Sequence, residues 1–317
     1  MPYKARDKQR HKFKKKKYKI TNWPEYNESL KKRGDLTIWF TESAIANWIE
    51  PKRNYSGRGR PKSYSNLAVE TSLFIRQVYH LPLRQTEGFI RSIIQLLKLP
   101  IKMMEFSNIS KRCNGLKLKK LVDSLEPGSH VLVDSSGLKV FGKDEWHQEK
   151  HKVKAKRTWR KLHIAIDEKH QFLACKLTTK EVGDSSVLPN LLADINDVDT
   201  FMADGAYDGE PSYRVIQNKS PQATIVIPPP HNAVSNHNAI RNEHIDMIHT
   251  HGRMGWQRRV EYGLRSLVEL AIPRYKTIIG RTMKTRQLPQ QETKAEVPAR
   301  VLNRMTQLGM PVSITVA

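Results

Sequence analysis

Cysteine, long apolar runs and acidic residues are all scarce in this sequence. The two cysteines, Cys113 and Cys175, are far apart, so neither a disulfide framework nor a thiolate metal site is expected. No apolar run is long enough to span a membrane, and none follows the basic N-terminus as it would in a secretory signal. We therefore expect a cytoplasmic protein with reduced thiols and no membrane partner.

The shortage of acids leaves a large positive charge. Asp and Glu number 31 against 55 Lys and Arg, which gives a net charge of +24 and a pI of about 10. A surplus of this size indicates a polyanionic partner, and nucleic acid is the first candidate. A ribosomal or merely solubilising role is the alternative, but such proteins rarely place Asp and Trp on apolar patterns. With 317 residues, the chain can form two or more modules.

Residues 1–22 are predicted to form a basic, flexible arm that contacts DNA. The first 19 residues contain ten Lys or Arg and a single acid, Asp7. The arm includes the lysine run Lys14, Lys15, Lys16 and Lys17. A solubility tail is the alternative for this segment. A second basic stretch, at 57–62, is interrupted by glycine, and we expect its Arg58 and Arg60 to lie along a DNA groove.

Residues 23–125 are predicted to be helical. Thr41 is a suitable N-cap, and apolar residues recur behind it at helical spacing. An apolar helix is expected over 67–79, a second from about Arg84 to Leu97, and a polar basic third from Ser107. Helix, short turn, helix and a basic helix fit a helix-turn-helix DNA reader, although many all-helical modules share this pattern.

From Val131 onward the pattern changes to strands and then to alternating helices and strands. Strands are expected over 131–140, 159–167, 172–178, 200–203 and 223–227, with helices over 185–195 and 211–218 and a long helix later. This order predicts an α/β domain over 126–280, with a mixed five-stranded sheet, flanking helices and a polar insertion at about 228–255. A helical tail is expected over 281–317.

Three acids stand where a metal-dependent nuclease would need them. Asp134 ends the apolar run 131–133, and Asp204 ends 201–203. Tyr262, Arg265 and Glu269 stand at i, i+3 and i+7 in 256–274, so one helix would carry all three on one face. Hard divalent cations bind carboxylate oxygens, so these acids and the basic charge indicate a protein that cuts or joins nucleic acid.

Two ambiguities remain around the third acid. An ordinary amphipathic helix with a surface Arg–Glu pair would give the same pattern. Glu261, eight residues before Glu269 on nearly the same face, is a rival for the metal ligand. Pro273 is expected to kink or end the helix, with Lys276 just beyond it.

The chain resembles bacterial insertion-sequence transposases of the IS-five group, within the DDE superfamily. Tyr262, Arg265, Glu269 and Lys276 match the Y-x2-R-x3-E-x6-K signature of that superfamily at every spacing. Residues 133–139 (VDSSGLK) resemble the first-acid motif, and residues 203–208 (ADGAYD) resemble the second. Arg160-Lys161-Leu162-His163 also fits, and the resemblance spans most of the chain from Trp23 to Ser313.

The resemblance implies a ribonuclease H-like fold in which Asp134 and Asp204 are adjacent. It further implies two Mg²⁺ ions, replaceable by Mn²⁺, held by Asp134, Asp204 and Glu269. Tyr262 and Arg265 would grip DNA near the cut, and Lys276 would contact a phosphate. The implied partners are double-stranded transposon ends and target DNA, bound by a homodimer or higher assembly in a bacterial, nucleoid-associated setting.

Two other functions remain compatible with the sequence. One is a DNA-binding regulator with an inactive core, and the other is a metal-dependent nuclease without strand transfer. The signature favours Glu269 over Glu261, and no catalytic group of the family pattern is missing.

Overall fold

A mixed sheet of six strands organises the protein. The computed structural model describes residues 17–51, 63–116, 118–140, 159–285 and 287–316. In chain order the strands are β1 (Lys17–Ile20), β2 (His130–Val140), β3 (Trp159–Ile166), β4 (Phe172–Thr179), β5 (Thr200–Met202), β6 (Thr224–Val226), β7 (Thr282–Met283) and β8 (Ser313–Val316). The sheet order is β4-β3-β2-β5-β6, and β7 pairs with the distal end of β2.

Eleven helices are present in the described residues. They are α1 (Trp23–Lys32), α2 (Leu36–Trp39), α3 (Glu42–Ala46), α4 (Asn66–Val78), α5 (Leu83–Leu96), α6 (Phe106–Arg112), α7 (Asp184–Leu191), α8 (Glu210–Lys219), α9 (Ala239–Arg259), α10 (Ser266–Ile278) and α11 (Leu288–Leu308). Single 3₁₀ turns cover Gly205–Tyr207 and Tyr262–Arg265. No helix of the described ranges is both long and apolar enough to cross a membrane.

The two faces of the sheet bury different residues of the same strands. In β2, Leu132 and Leu138 belong to a core shared with α10 and α11, whereas Val131 and Val133 belong to a core shared with α7 and α8. Because side chains alternate along a strand, Asp134 and Ser136 point to the α10 side. The predicted mixed α/β sheet with flanking helices is confirmed, and it is consistent with a ribonuclease H-like fold.

The N-terminal helices pack onto the same core as the six-stranded sheet. Trp39, Trp48 and Ile90 lie in the buried cluster that also contains Leu138 and Tyr275. Thr41 caps α3, accepting a hydrogen bond from the Ala44 N–H at 3.2 Å. The predicted helices form within a residue or two of their expected bounds, but their use as a helix-turn-helix reader stays a prediction, as do the domain bounds.

Some sequence-based expectations about secondary structure were wrong. The sheet has a sixth strand, β7, which is only two residues long and so leaves no alternation to detect. The tail after 281 is not purely helical, because β7 precedes α11 and β8 pairs antiparallel with β1. Lys17–Ile20, placed in a flexible arm, forms β1. Lys14, Lys15, Lys16, Arg58 and Arg60 lie outside the described residues.

The segment carrying Glu269 also differs from the single helix that was expected over 256–274. Helix α9 ends at Arg259, Glu261 adopts a left-handed conformation with φ of 50°, and a 3₁₀ turn precedes α10. Pro273 lies inside α10 and does not end it. Because proline has no N–H, the Glu269 carbonyl loses its helical donor at that position. The expected polar insertion at 228–255 instead contributes most of α9.

Candidate active site

Strand register brings Asp134 and Asp204 together. β2 and β5 are parallel neighbours, and Leu132 of β2 pairs with Met202 of β5. Each aspartate stands two residues beyond this pair toward the carboxyl end of its strand. Buried apolar residues fix both strands, since Val131, Leu132, Phe201 and Met202 are almost completely inaccessible to solvent. The adjacency expected from the family resemblance therefore follows from the register.

Asp134 is the more buried of the two aspartates. Its Oδ1 accepts a hydrogen bond from the Ser135 N–H at 2.8 Å. Burial raises the pKa of the Asp134 carboxyl, and the nearby guanidinium of Arg265 opposes that rise. The neighbouring carboxylates of Asp204 and Glu269 raise the pKa further, because like charges disfavour ionisation. A neighbouring cation therefore stabilises the ionised form of Asp134 more than it would stabilise that of an exposed carboxyl group.

Asp204 is positioned by the turn that follows β5. Its Oδ1 accepts the Ala206 N–H at 3.0 Å and so caps the 3₁₀ turn that begins at Gly205. A Cβ at position 205 would lie 3.1 Å from the Pro228 carbonyl oxygen, so a glycine lets the turn approach that loop closely. The second aspartate is thus held by a backbone turn that tolerates little bulk.

The guanidinium of Arg265 lies among all three acids. Its Nη2 is 3.3 Å from Asp134 Oδ2 and 3.6 Å from Asp204 Oδ2, while Nη1 is 2.5 Å from Glu269 Oε1. Carboxylates from β2, from the end of β5 and from α10 therefore converge on one cation. Glu261, the rival acid, makes no ion pair with this guanidinium in the described structure and is exposed.

The site is closed on the sheet side and open on the helix side. The side chains of Asp134 and Arg265 are 15% and 13% exposed, whereas those of Asp204 and Glu269 are 38% and 56% exposed. An open groove of about 700 Å³ lies beside Arg265 and Glu269 and is also lined by Arg258 and Tyr262. A substrate can therefore approach the acids from the α9–α10 side.

A buried chain of contacts anchors the Arg265 segment to the sheet. The Tyr262 hydroxyl donates to the Ala203 carbonyl oxygen at 3.3 Å, and its ring packs against Trp256 with ring centroids 5.2 Å apart. Trp256 Nε1 donates to His244 Nδ1 at 3.0 Å, and His244 Nε2 lies 2.7 Å from the Ile225 carbonyl oxygen. Both contacts are satisfied by the tautomer with its proton on Nε2.

His244 was misjudged from the sequence. Its position in a polar stretch with other irregularly spaced histidines predicted a solvated or DNA-facing residue. It is instead buried, and it links α9 to β6. No periodicity indicated this contact, because a regular helix would place residues twelve apart about 120° from each other around its axis, and the chain is kinked at Gly252 between His244 and Trp256.

Lys276 also reaches β2, the strand that carries Asp134. Its Nζ donates to Ser136 Oγ at 2.6 Å, and Ser136 is two residues from Asp134 on the same face of β2. Partial burial, and then the positive charge of Arg281, lower the pKa of Lys276. The ammonium group is therefore held next to the acids by a neutral hydroxyl and keeps its charge available for a ligand.

On the opposite face of β3, Lys161 and His163 of the Arg160–His163 motif form a buried polar cluster with Asp184. His163 is inaccessible to solvent, and its Nε2 lies 2.9 Å from Thr178 Oγ1 while Nδ1 lies 3.4 Å from Asp184 Oδ1. Burial lowers the pKa of His163 to about 4, and the neighbouring Lys161 adds to this effect. Gly183 occupies the N-cap of α7, and Asp184, the first residue of that helix, lies beside Lys161 and His163.

The three acids provide the ligand chemistry that a hard divalent cation requires. They supply only carboxylate oxygens, as Mg²⁺ prefers, and they already surround a positive charge. As they stand, no three or more His, Cys, Asp or Glu side chains in the described ranges are grouped closely enough to hold a metal ion. The chemistry of the donors therefore suits a divalent cation, while in this structure the guanidinium of Arg265 lies between the acids.

Comparison with known families places this geometry in a wider context. The sequence matches two family models, each described as a transposase DDE domain. The first match covers residues 31–143. The second covers residues 126–303, which is more than half of the chain and includes Asp134, Asp204, Glu269 and Lys276.

Proposed function

Because the chain belongs to the family of DDE-domain transposases, we propose that it mobilises an insertion sequence of the IS-five group. In this proposal the protein binds the terminal inverted repeats of the element, cleaves DNA strands at its ends and joins them to target DNA. Asp134, Asp204 and Glu269 are the catalytic residues. The observation that carries the proposal is the convergence of these three acids, from three separate elements, on a single cation.

Two Mg²⁺ ions, for which Mn²⁺ can substitute, are the proposed cofactors. Asp134, Asp204 and Glu269 would hold them. Once bound, the ions would supply polarisation of the attacking hydroxyl and charge neutralisation at the leaving oxygen of a phosphoryl transfer. The burial that raises the pKa of Asp134 favours such binding, because a buried carboxylate gains more from a neighbouring cation.

The basic side chains around the acids have the proposed role of gripping DNA. With cations held by the acids, Arg265 would no longer pair with the carboxylates, and its planar guanidinium could bind a phosphate in bidentate fashion. Lys276, held at Ser136, offers a point charge for a second phosphate. Tyr262 keeps this group in register with the strand ends through its bond to the Ala203 carbonyl oxygen.

Further DNA contacts are proposed for the N-terminal part of the chain. The basic arm of residues 1–22 with Lys14 to Lys17, the linker with Arg58 and Arg60, and the helical region over 23–125 would hold the duplex away from the cut. The catalytic domain would cover 126–280. Because both ends of an element must be cut, a homodimer or higher assembly on DNA is the proposed active form.

A nicking assay on DNA that carries the inverted repeats flanking the reading frame tests the function. We expect nicks at the repeat ends that depend on Mg²⁺ or Mn²⁺. Asp134→Asn, Asp204→Asn and Glu269→Gln should each abolish nicking while DNA affinity stays nearly unchanged. Glu261→Gln is the matched control, since Glu261 is exposed and makes no ion pair with Arg265 in the described structure, and it should keep full activity.

The products of the same assay separate the alternatives. Joined products with duplicated target sequence support strand transfer, whereas nicks without joining would indicate a nuclease. Repeat binding without any cleavage under either cation would indicate a regulator with an inactive core. Retained cutting by Glu269→Gln, together with loss in Glu261→Gln, would move the third ligand to Glu261.

A further inference from the structure

A cavity of about 310 Å³ lies where the N-terminal helices meet the catalytic sheet. Its walls come from the end of α4, the start of α5, the end of α10, β7 and α11. Four of its lining residues carry basic side chains, namely Arg76, His80, Lys284 and Lys294. No acidic residue lines it among the described residues. The cavity is thus a concentration of positive charge without an internal counter-charge.

Arg76 and Lys294 are the unusual members of this group, because both are half-buried and unpartnered. Neither side chain makes a hydrogen bond or ion pair within the described part of the chain, and Arg76 Nε is buried without an acceptor. Burial lowers the pKa of the Arg76 guanidinium and lowers that of Lys294 to about 8, with Arg76 adding to the effect on Lys294. Two neighbouring cationic groups thus lose part of their hydration without gaining a counter-charge, and this desolvation lowers the stability of the folded protein.

Two other buried arginines of the chain have carboxylate partners, whereas Arg274, within the described ranges, bonds only to a backbone carbonyl, that of Leu302. Arg241 lies 3.0 Å from Asp208, and Arg300 lies near both Glu70 and Glu296. The Cys113 thiol is the one acidic group, among the described residues, that acts on both Arg76 and Lys294, but burial raises its pKa and keeps it neutral. The missing negative charge is therefore absent from the described residues around the cavity, and a ligand can supply it.

Strand β2 connects the acids to the cavity, because it contains Asp134 and pairs with β7 in the cavity wall. Along β2, Asp134 is followed by Ser136, which binds Lys276, and then by Lys139, which pairs with Thr282 in the cavity wall. The Lys139 N–H also donates to the Arg281 carbonyl oxygen at 3.2 Å. From position 134 to 139 the strand advances roughly 17 Å. At the axial rise of a DNA strand, this corresponds to roughly five nucleotides.

We propose that this cavity, which we call the α4–α11 cavity, binds a backbone phosphate of the DNA whose cleavage site lies at Asp134 and Asp204. The inference rests on the proposed function for its ligand, and it adds a contact outside the active site. Arg76 and Lys294 would bind the phosphate oxygens, with Lys284 and His80 at the rim. Because α4 belongs to the N-terminal region and α11 packs on the sheet, a bound phosphate would also lock these two parts together.

Charge-removing variants of the cavity provide the test. Lys294→Met and Arg76→Met keep much of the length of the side chain and remove its charge. The free energy of unfolding of the DNA-free protein should stay the same or rise, because an uncompensated buried cation disappears. Affinity for a fluorescent DNA duplex should fall severalfold at low salt. Opposite effects on stability and on DNA binding are not expected of a residue that acts only in packing.

The salt dependence of DNA binding gives a second readout. For each phosphate that a variant no longer binds, the slope of log affinity against log salt should become shallower by about 0.9. The affinity ratio between wild type and variant should therefore shrink about threefold between about 50 and 200 mM salt for each such phosphate. Lys284→Ala, at the exposed rim, tests the same cavity without risk to folding. Lys219→Met is the matched control, because Lys219 lies in α8 on the opposite face of the sheet and bonds to the Ala193 carbonyl oxygen.

The outcomes show whether the phosphate comes from DNA or from a small anion. They also show whether a negative result contradicts the cavity proposal or the proposed function. Equal DNA affinity in wild type and all three cavity variants would overturn the proposal. A second result would also overturn it. If inorganic pyrophosphate stabilises the wild-type protein but not Lys294→Met, while both bind DNA equally well, the ligand is a small anion and not DNA. If the wild-type protein binds no DNA, the proposed function itself fails. If cavity variants weaken binding while nicking is absent, the cavity stands as a DNA site and only the catalytic assignment fails.

Discussion

Replacing Arg265 by glutamine tests whether its guanidinium takes the place of a metal among the three acids. Glutamine keeps much of the side-chain length and removes the charge. Without divalent cations, Asp134, Asp204 and Glu269 would then repel one another with no internal compensation. We expect Arg265→Gln to be less stable than wild type in metal-free buffer and to respond more strongly to added Mg²⁺.

The magnitude follows from the exposure of each acid. Removing one partner of a buried ion pair costs about 3–5 kcal/mol, whereas exposed pairs contribute about 0–1 kcal/mol. Only Asp134, with 15% of its side chain exposed, approaches the buried case, since Asp204 and Glu269 are 38% and 56% exposed. We therefore expect a loss of about 3 kcal/mol, dominated by Asp134. At ten times its dissociation constant, Mg²⁺ would restore about 1.4 kcal/mol.

Urea unfolding with and without Mg²⁺ measures both effects. The control is Arg241→Gln, because Arg241 forms a pair with Asp208, whose side chain is 2% exposed, and makes no ion pair with the three acids in the described structure. This control should lose a similar free energy of unfolding and show the same Mg²⁺ response as wild type. If Mg²⁺ stabilises wild type and Arg265→Gln equally, the guanidinium does not occupy the position of the cation.

Three further predictions address the surroundings of the site. The pKa of His163 is about 4 in the folded protein and ordinarily 6.5, so unfolded chains take up the proton first as pH falls. Stability should drop by about 3 kcal/mol between pH 6.5 and 4 from this residue, and urea unfolding of His163→Gln should lack that part of the pH dependence. Trp256→Phe removes the donor to His244 Nδ1 and should lower the free energy of unfolding, measured by thermal unfolding, by about 1–3 kcal/mol. Nicking should also be slower, because Tyr262 loses the ring that packs against it. Unchanged nicking would show that this chain of contacts does not affect catalysis. Deleting residues 1–16, which leaves β1 intact, should weaken DNA binding and flatten its salt dependence, and an unchanged slope would make the arm a solubility tail.

The sequence predicts the two aspartates well because each follows a short apolar run that could only be a buried strand. Their separation in space depends on strand order and register, which local patterns do not encode, and the expected adjacency came from the family resemblance. The break between α9 and α10 was missed, because Tyr262, Arg265 and Glu269 keep helical spacing across it. The role of His244 was missed for a related reason, since its partners Ile225 and Trp256 meet only after α9 folds against the sheet.

The charge balance of the site explains why its acids can gather and yet remain receptive to cations. Three carboxylates formally carry three negative charges and Arg265 carries one positive charge, so the net formal charge of the group is −2. Burial raises the pKa of Asp134 even with the guanidinium beside it, which means that the arginine compensates the site only in part. A divalent cation carries more charge in less volume and binds carboxylate oxygens directly, so it compensates the acids better than Arg265 does. We expect a displaced guanidinium to face the open groove beside Glu269, where it could bind a phosphate.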